Sequence, residues 1–250
     1  MADLESGPDE AVTRAAVFAT THWSVVLAAG DADSQLAGRA LERLCRTYWP
    51  PLYAFLRREG RSEADTQDLV QGFFESLLAR ESFVGLDRER GKFRSFLLGA
   101  LKHFLANERD RVQALKRGGA VTFVAWDDVE PESAFRSTHT DALSPDLAFE
   151  KSWALTLLNQ VLAQLRDEYS RSGKAALFDA LQVYLTGEKG DVPYAVIAAR
   201  LNLGESALKM SIQRLRRQYG DLLRAEIAHT VGSPQEVDEE IRALFAAVRR

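Results

Sequence analysis

The chain is poor in the residues and segments that mark several classes of protein. Its one cysteine, Cys45, cannot form an internal disulfide, and its neighbours Leu44 and Tyr48 favour a buried structural thiol over a nucleophile. No apolar run approaches the roughly 18–20 residues that a membrane span needs. The acidic residues 1–10 lack the features of a secretion signal. These absences predict a cytoplasmic protein without a membrane span.

Groupings typical of enzymes and metal sites are equally scarce. The four histidines are scattered, and none has metal-ligand spacing from another or from Cys45. No glycine-rich phosphate loop is present, because Gly118 and Gly119 lack the strand and helix that frame one. Asp127 and Asp128 fit an acidic linker better than a metal site. We therefore expect no catalytic residues, no metal and no cofactor, and an enzyme is the least favoured class.

The periodicity of the apolar residues is helical almost throughout, over 250 residues that are enough to bury a sizeable core. It predicts an all-α protein with two helical domains joined by a linker, the C-terminal domain being a helix-turn-helix. The predicted segments are an N-terminal extension (1–36), a first helical domain (37–117), an acidic linker (118–152), a second helical domain (153–226) and a C-terminal helical extension (227–250).

Local signals place several helix boundaries. Pro50 and Pro51 predict a break or kink near residue 50, because proline removes a helical hydrogen bond. Ser62 is expected to begin a helix, with Asp65 in a capping box. The last helix carries an apolar stripe that predicts docking on residues 153–226 or on a partner.

Charge is unevenly distributed, although the formal net charge of the chain is only −4. Residues 41–117 carry 15 Lys and Arg against 11 Asp and Glu, and residues 194–225 carry 6 against 2. Residues 118–152 are acidic, with 2 against 7, and so are residues 1–40, with 2 against 6. Two basic blocks are thus separated by an acidic spacer, and the whole-chain charge is a poor guide to anionic partners.

The segment from Pro193 to Arg217 has the pattern of two helices joined by a tight turn. Pro193 suits a first helical turn because its missing N–H needs no acceptor there. Asn202 tolerates the left-handed backbone that such a turn often needs. In the second helix one side is apolar and the opposite side is polar and cationic, as a recognition helix in the DNA major groove requires. An ordinary amphipathic hairpin with a solvated charged face gives the same pattern.

A second motif, more than a hundred residues earlier, favours the DNA-binding interpretation. The residues 65–74, DTQDLVQGFF, and 87–97, DRERGKFRSFL, closely resemble the core-binding and promoter-melting region of bacterial sigma factors. Followed by an acidic linker and a C-terminal helix-turn-helix, they resemble the extracytoplasmic-function type, in a subgroup with longer N- and C-terminal extensions. The resemblance covers roughly residues 37–117, similar to sigma region 2, and 153–226, similar to sigma region 4.

This resemblance implies a role for each region. The helix that begins near Ser62 would dock on the clamp helices of the polymerase β′ subunit through Asp65, Asp68, Gln71 and Glu75. The region that opens the minus-ten element would hold separated strands by charge and stacking, through Arg88, Arg90, Lys92, Arg94, Phe96, Lys102, Arg109 and Gln113. The helix-turn-helix would read the minus-thirty-five element, through Glu205, Ser206, Lys209, Gln213, Arg214, Arg216 and Arg217.

The sequence departs from the family pattern at several of these places. His103 and Asn107 replace the Asn and Asp that usually follow in the promoter-melting helix, which puts the detailed minus-ten readout in doubt. Gly72 stands where the family often has an acidic residue, and it should cost the helix about 1 kcal/mol relative to Ala. Gly204 replaces the Ser that often caps the recognition helix, and this weakens the cap only modestly.

The implied function is a sigma factor that binds core RNA polymerase, at its β′ clamp helices and β subunit, and directs initiation at promoter DNA. An anti-sigma factor is a further possible partner. Two alternatives stay open. One is a stand-alone helix-turn-helix regulator in which residues 37–117 dimerise or sense a ligand. The other is a sigma-like decoy that binds polymerase without initiating.

Overall fold

The computed structural model describes residues 35–78, 92–115, 132, 143–186 and 193–249. These residues are helical and contain no strand, as the sequence predicts. Most of the predicted N-terminal extension and most of the predicted linker lie outside them. The helices are α1 (Gln35–Arg58), α2 (Glu63–Leu78), α3 (Phe93–Leu115), α4 (Pro145–Arg171), α5 (Ala175–Leu181), α6 (Val183–Thr186), α7 (Tyr194–Arg200), α8 (Glu205–Ala228) and α9 (Val237–Val248). None of these helices combines the length and the apolar character that crossing a membrane requires.

The chain divides into two compact units. The first lies within Met1–Thr156 and Ile227–Arg250, and the second is Leu157–Glu226. The end of the chain therefore belongs with the first unit, although it follows the second in sequence.

Helix α1 contradicts the prediction of a break at the two prolines. One continuous helix runs through Pro50 and Pro51. A proline inside a helix costs roughly 3 kcal/mol. The residues on both sides, Tyr48, Leu52 and Tyr53, are fully buried. Packing of the helix against the core outweighs the lost hydrogen bonds.

Helix α2 begins as its sequence predicts. The Asp65 backbone N–H donates to Ser62 Oγ at 3.1 Å, and the Ser62 hydroxyl donates to Asp65 Oδ2 at 2.7 Å. Ser62 thus satisfies one of the donors that a helix N-terminus leaves without an internal acceptor. The apolar side of the helix is buried and includes Val70, Phe73, Phe74 and Leu77.

The C-terminal segment, residues 227–249, is integrated into the first unit, and we call it the strap. The Phe93 N–H, at the start of α3, donates to the Thr230 carbonyl oxygen at 3.1 Å. Helix α9 buries one side, made of Val237, Glu240, Leu244 and Ala247. The sequence predicts docking of this helix on residues 153–226 or on a partner. In the structure it joins the first unit instead.

The second unit has its own apolar core, and α8 packs into this core along one side. The stripe predicted from the sequence is confirmed, since Leu208, Ile212 and Leu215 are buried and Tyr219 and Leu222 pack against them. Ile197 and Ala198 of α7 join the same core. Tyr169 of α4 packs there too, and its hydroxyl donates to Gln218 Oε1 at 2.8 Å. Helix α8 is thereby held by one side along its length.

Replacing Gly220 by Ala is expected to raise the free energy of unfolding by about 0.5–1 kcal/mol, because glycine in a helix interior loses more backbone entropy on folding. A Cβ added at Gly220 meets no atom within 4 Å. The matched control is Gly60→Ala, since Gly60 has φ of +82° and an L side chain is strained there. Urea denaturation measures both changes. A destabilised Gly220→Ala variant would contradict the prediction.

Candidate nucleic-acid and polymerase interfaces

The turn between α7 and α8 has the geometry that its sequence predicts. Asn202 adopts the left-handed backbone, with φ of 52°. The Leu201 N–H donates to the Ile197 carbonyl oxygen at 3.0 Å, and the Leu203 N–H donates to that of Ala198 at 2.9 Å. These bonds close the end of α7. In the first turn of α8, the Leu208 N–H donates to the Gly204 carbonyl oxygen at 3.0 Å. The two helices are therefore fixed to each other by the turn and by their shared core.

The outer side of α8 is exposed along its length. All seven residues predicted to face the minus-thirty-five element are exposed: Glu205, Ser206, Lys209, Gln213, Arg214, Arg216 and Arg217. Met210 lies among them with 62% of its surface exposed. A cationic, hydrogen-bonding side of this kind fits the phosphates and base edges of a major groove.

Not all of these cations are equally available to a ligand. The Arg216 guanidinium donates two hydrogen bonds to the Tyr184 carbonyl oxygen, at 3.1 and 3.3 Å, and so holds the end of the short helix α6. Arg217 Nε lies 3.8 Å from Asp221 Oδ2, and both side chains are largely exposed, which makes this pair weak. Lys209 and Arg217 are therefore better placed than Arg216 for a contact that a ligand can exchange.

Three of the four residues predicted to dock on polymerase are exposed on α2, and the fourth is buried. Asp65, Asp68 and Glu75 are exposed. Gln71 is only 8% exposed, and its side-chain amide donates to Glu75 Oε1 at 3.1 Å. The prediction that Gln71 lies on the docking surface is wrong, because it turns toward the buried side of the helix. Its amide orients Glu75 instead.

The start of α3 differs most from the sequence-based expectation. Arg94, predicted to contact DNA, is buried, and its guanidinium bonds Glu240 through Nε at 2.5 Å and through Nη2 at 3.1 Å. It also pairs with Glu150 and lies 4.7 Å from the centre of the Trp153 ring. Burial alone lowers the pKa of Arg94, but the hydrogen bonds and charge of its two carboxylate partners raise it above the ordinary value. In this structure Arg94 is buried and fully engaged inside the first unit, so it is not exposed for a DNA contact while these partners hold it.

Lys92 belongs to the same ion cluster. Its ammonium lies 3.0 Å from Glu240 Oε2 and 3.3 Å from Glu239 Oε1. Burial lowers the pKa of Lys92, but its hydrogen bonds to Glu240 and Glu239 and the charge of Glu240 together outweigh this and raise the pKa above its ordinary value. Glu240 is fully buried and receives both cations, whereas Glu239 is largely exposed. The strap thus places carboxylates against two cations that the resemblance assigns to DNA.

Of the other minus-ten candidates, Phe96 is half-buried, with its ring 5.8 Å from that of Phe93. Lys102 is half exposed, pairs with Asp146 at 2.6 Å and lies 5.5 Å above the Phe55 ring. Arg88 and Arg90 lie outside the described residues, and so do the side chains of Arg109 and Gln113.

Two further observations bear on the departures from the family pattern. The His103 and Asn107 side chains, both exposed, lie one helical turn apart, with Asn107 Nδ2 3.2 Å from His103 Nδ1. A Cβ added at Gly72 would lie 3.6 Å from the Phe104 ring, which is an ordinary contact. Within the described residues no group of three His, Cys, Asp or Glu side chains is placed to hold a metal ion.

The sequence analysis does not single out Glu240 and Glu150, the partners of Arg94. One signal was available for Glu240. It lies three residues after Val237 and four before Leu244, so it falls on the apolar side of α9. A carboxylate at such a position requires a buried cation as partner.

No family model, no curated protein and no solved structure matches this chain. The function is therefore inferred from its own residues and geometry.

Proposed function

We propose that this protein is a sigma factor of the extracytoplasmic-function type, which binds core RNA polymerase and directs promoter-specific initiation. The observation that carries the proposal is the exposed side of α8, where all seven candidate contacts face solvent while the opposite side is buried. This helix follows a left-handed turn at Asn202 in a chain whose residues 65–74 and 87–97 resemble the core-binding and promoter-melting region. The proposal includes two further points. Helices α7 and α8 form a DNA-binding helix-turn-helix, and two separate domains recognise the minus-ten and minus-thirty-five elements.

Each DNA-binding region alone would hold DNA weakly. Polymerase would fix both regions on one rigid frame, so that binding of the first raises the effective concentration of the second. The acidic balance of the chain, with a net charge of −4, supports this division, because it disfavours indiscriminate DNA binding by the free protein. Specificity then depends on polymerase being present.

The proposed polymerase-docking surface consists of Asp65, Asp68 and Glu75. The carboxylates of Asp68 and Glu75, seven residues apart, share one side of α2 and are exposed. Against basic clamp residues they would supply register and a faster association rate more than raw affinity.

The experiment that tests this surface is the double variant Asp68→Asn with Glu75→Gln. We expect its association rate constant with core polymerase to fall about tenfold at low salt, and the difference to shrink as salt rises. Stopped-flow fluorescence of a labelled chain measures the rate constant. The matched control is Glu59→Gln with Glu63→Gln, which changes the charge equally at exposed positions off this side. Equal rate constants for the two double variants would contradict the docking surface.

One observation favours a second candidate, the sigma-like decoy. Lys92 and Arg94, which the resemblance assigns to the opened minus-ten strand, both pair with Glu240 within the chain. A protein in which this cluster never opens would bind polymerase and start no transcription. Transcription from genomic fragments separates the two functions.

A further inference from the structure

The ion cluster at the start of α3 joins two segments that are far apart in sequence. Arg94 and Glu240 are separated by 146 residues, and both are nearly or fully buried. The bond from the Phe93 N–H to Thr230 lies beside the cluster. The strap also buries Val231, Leu244 and Ala247. The strap is therefore joined to the start of α3 by ion pairs and by a backbone hydrogen bond, and its own apolar residues are buried.

The groups that bind Glu240 are a guanidinium and an ammonium, and both kinds of group also bind phosphate. The Arg94 guanidinium presents two N–H groups to the two oxygens of Glu240, a fork that fits a carboxylate or a phosphate equally well. Lys92 adds a second cation within 3.0 Å of the same carboxylate. A DNA phosphate and Glu240 cannot use these donors at the same time.

We propose that the strap is an autoinhibitory element that occupies the minus-ten strand site in the free protein and leaves it when the opened strand binds. This inference rests on the proposed function and adds its regulation. The apparent affinity for single-stranded DNA then equals the affinity of the strap-released form multiplied by the fraction of molecules in which the strap is released. A change that weakens the Glu240 contact raises that fraction and the affinity by the same factor.

The first test uses the full-length chain in complex with core polymerase and a mixed-sequence single-stranded oligodeoxynucleotide as the probe. Glu240→Gln removes the charge that holds Arg94 and Lys92, and we expect it to tighten probe binding at least tenfold. Asp238→Asn is the matched control, because it makes the same charge change at an exposed strap residue, and we expect less than a twofold effect. Equal effects of the two variants, both shown to be folded by circular dichroism, would overturn the proposal.

The second test needs no variant and so does not depend on the folding of Glu240→Gln. Hydrogen exchange by mass spectrometry follows peptides from residues 92–98 and 227–248 in the wild-type complex with polymerase. The first N–H groups of a helix have no acceptor within that helix, so the Phe93 N–H depends on Thr230 of the strap for its hydrogen bond. Release of the strap therefore exposes the Phe93 N–H to exchange, together with backbone amides of the strap. We expect both peptides to lose protection when the oligodeoxynucleotide binds.

The outcomes separate the two proposals. Stable binding to polymerase and to the oligodeoxynucleotide, with the strap still protected, would overturn the strap proposal and leave the proposed function in place. A folded chain that does not bind polymerase would overturn the proposed function and the strap proposal that rests on it.

Discussion

Replacing Arg94 by Met is expected to lower the free energy of unfolding of the first unit by about 3–5 kcal/mol, because it leaves the carboxylate of Glu240 buried without its main partner. Glu240 has no exposed surface, so solvent cannot replace the lost guanidinium. Lys92 remains within reach of Glu240 and supplies part of the compensation. Met preserves most of the apolar stem of Arg94 and removes its guanidinium, so the loss is chiefly electrostatic.

The single cysteine offers a direct measurement of this effect. Cys45 is 3% exposed, and burial raises the pKa of its thiol to about 12, so the folded first unit protects it from thiol reagents. The rate of labelling reports opening of the unit, and we expect it to rise at least a hundredfold in Arg94→Met. The control is Lys102→Met, whose pair with Asp146 is half exposed and worth about 0–1 kcal/mol. Similar labelling rates in the two variants would show that the cluster contributes little.

Replacing Lys209 and Arg217 together by Ala is expected to weaken promoter binding by the polymerase complex roughly 10- to 100-fold, since a good base contact is worth about 1–3 kcal/mol. Both side chains are exposed on α8, and neither is tied to a buried partner. Contacts to phosphate would also appear in the salt dependence, and we expect the slope of log K against log salt to fall by about 1–2. The measurement is a titration of a DNA fragment from which the wild-type chain initiates.

The charge-matched control for this pair is Arg166→Ala with Arg171→Ala, two exposed cations of α4 in the same unit. It tests whether any loss of positive charge weakens binding. An equal loss in the control, or no loss in the Lys209 and Arg217 variant, would refute the assignment of α8 as the DNA-reading helix.

The helices were largely predictable because helical periodicity is a local property. The second helix of the predicted pair is present as α8, Glu205–Ala228, with its predicted apolar side buried, and Ser62 caps α2 as expected. The exception was α1, where proline chemistry predicts a break. The burial of Tyr48, Leu52 and Tyr53 decides that case, and burial depends on neighbours from the rest of the fold.

The candidate sites were less predictable, for a related reason. Helical periodicity indicates which side of α8 is polar, and the structure agrees residue by residue. It does not indicate that Arg94 meets a carboxylate 146 residues away. The same limit applies to Gln71, whose position at the edge of a polar stripe left its burial to be decided by packing. Pairing across long sequence distances is decided by the tertiary fold.

The strap changes what the sequence resemblance implies for the free protein. The resemblance assigns a row of cations at the start of α3 to opened DNA. In the structure two of these cations, Lys92 and Arg94, are held by Glu240. Under the strap proposal, the free form of the chain differs at this place from the form that binds opened DNA.

The most direct test of the central claim is binding of the purified wild-type chain to bacterial core RNA polymerase at moderate salt, followed by transcription from genomic fragments. The account predicts a stable complex and new, discrete transcription start sites that depend on the chain. A folded chain that does not bind core polymerase, or that binds it and yields no new start sites, would contradict the assignment as a sigma factor.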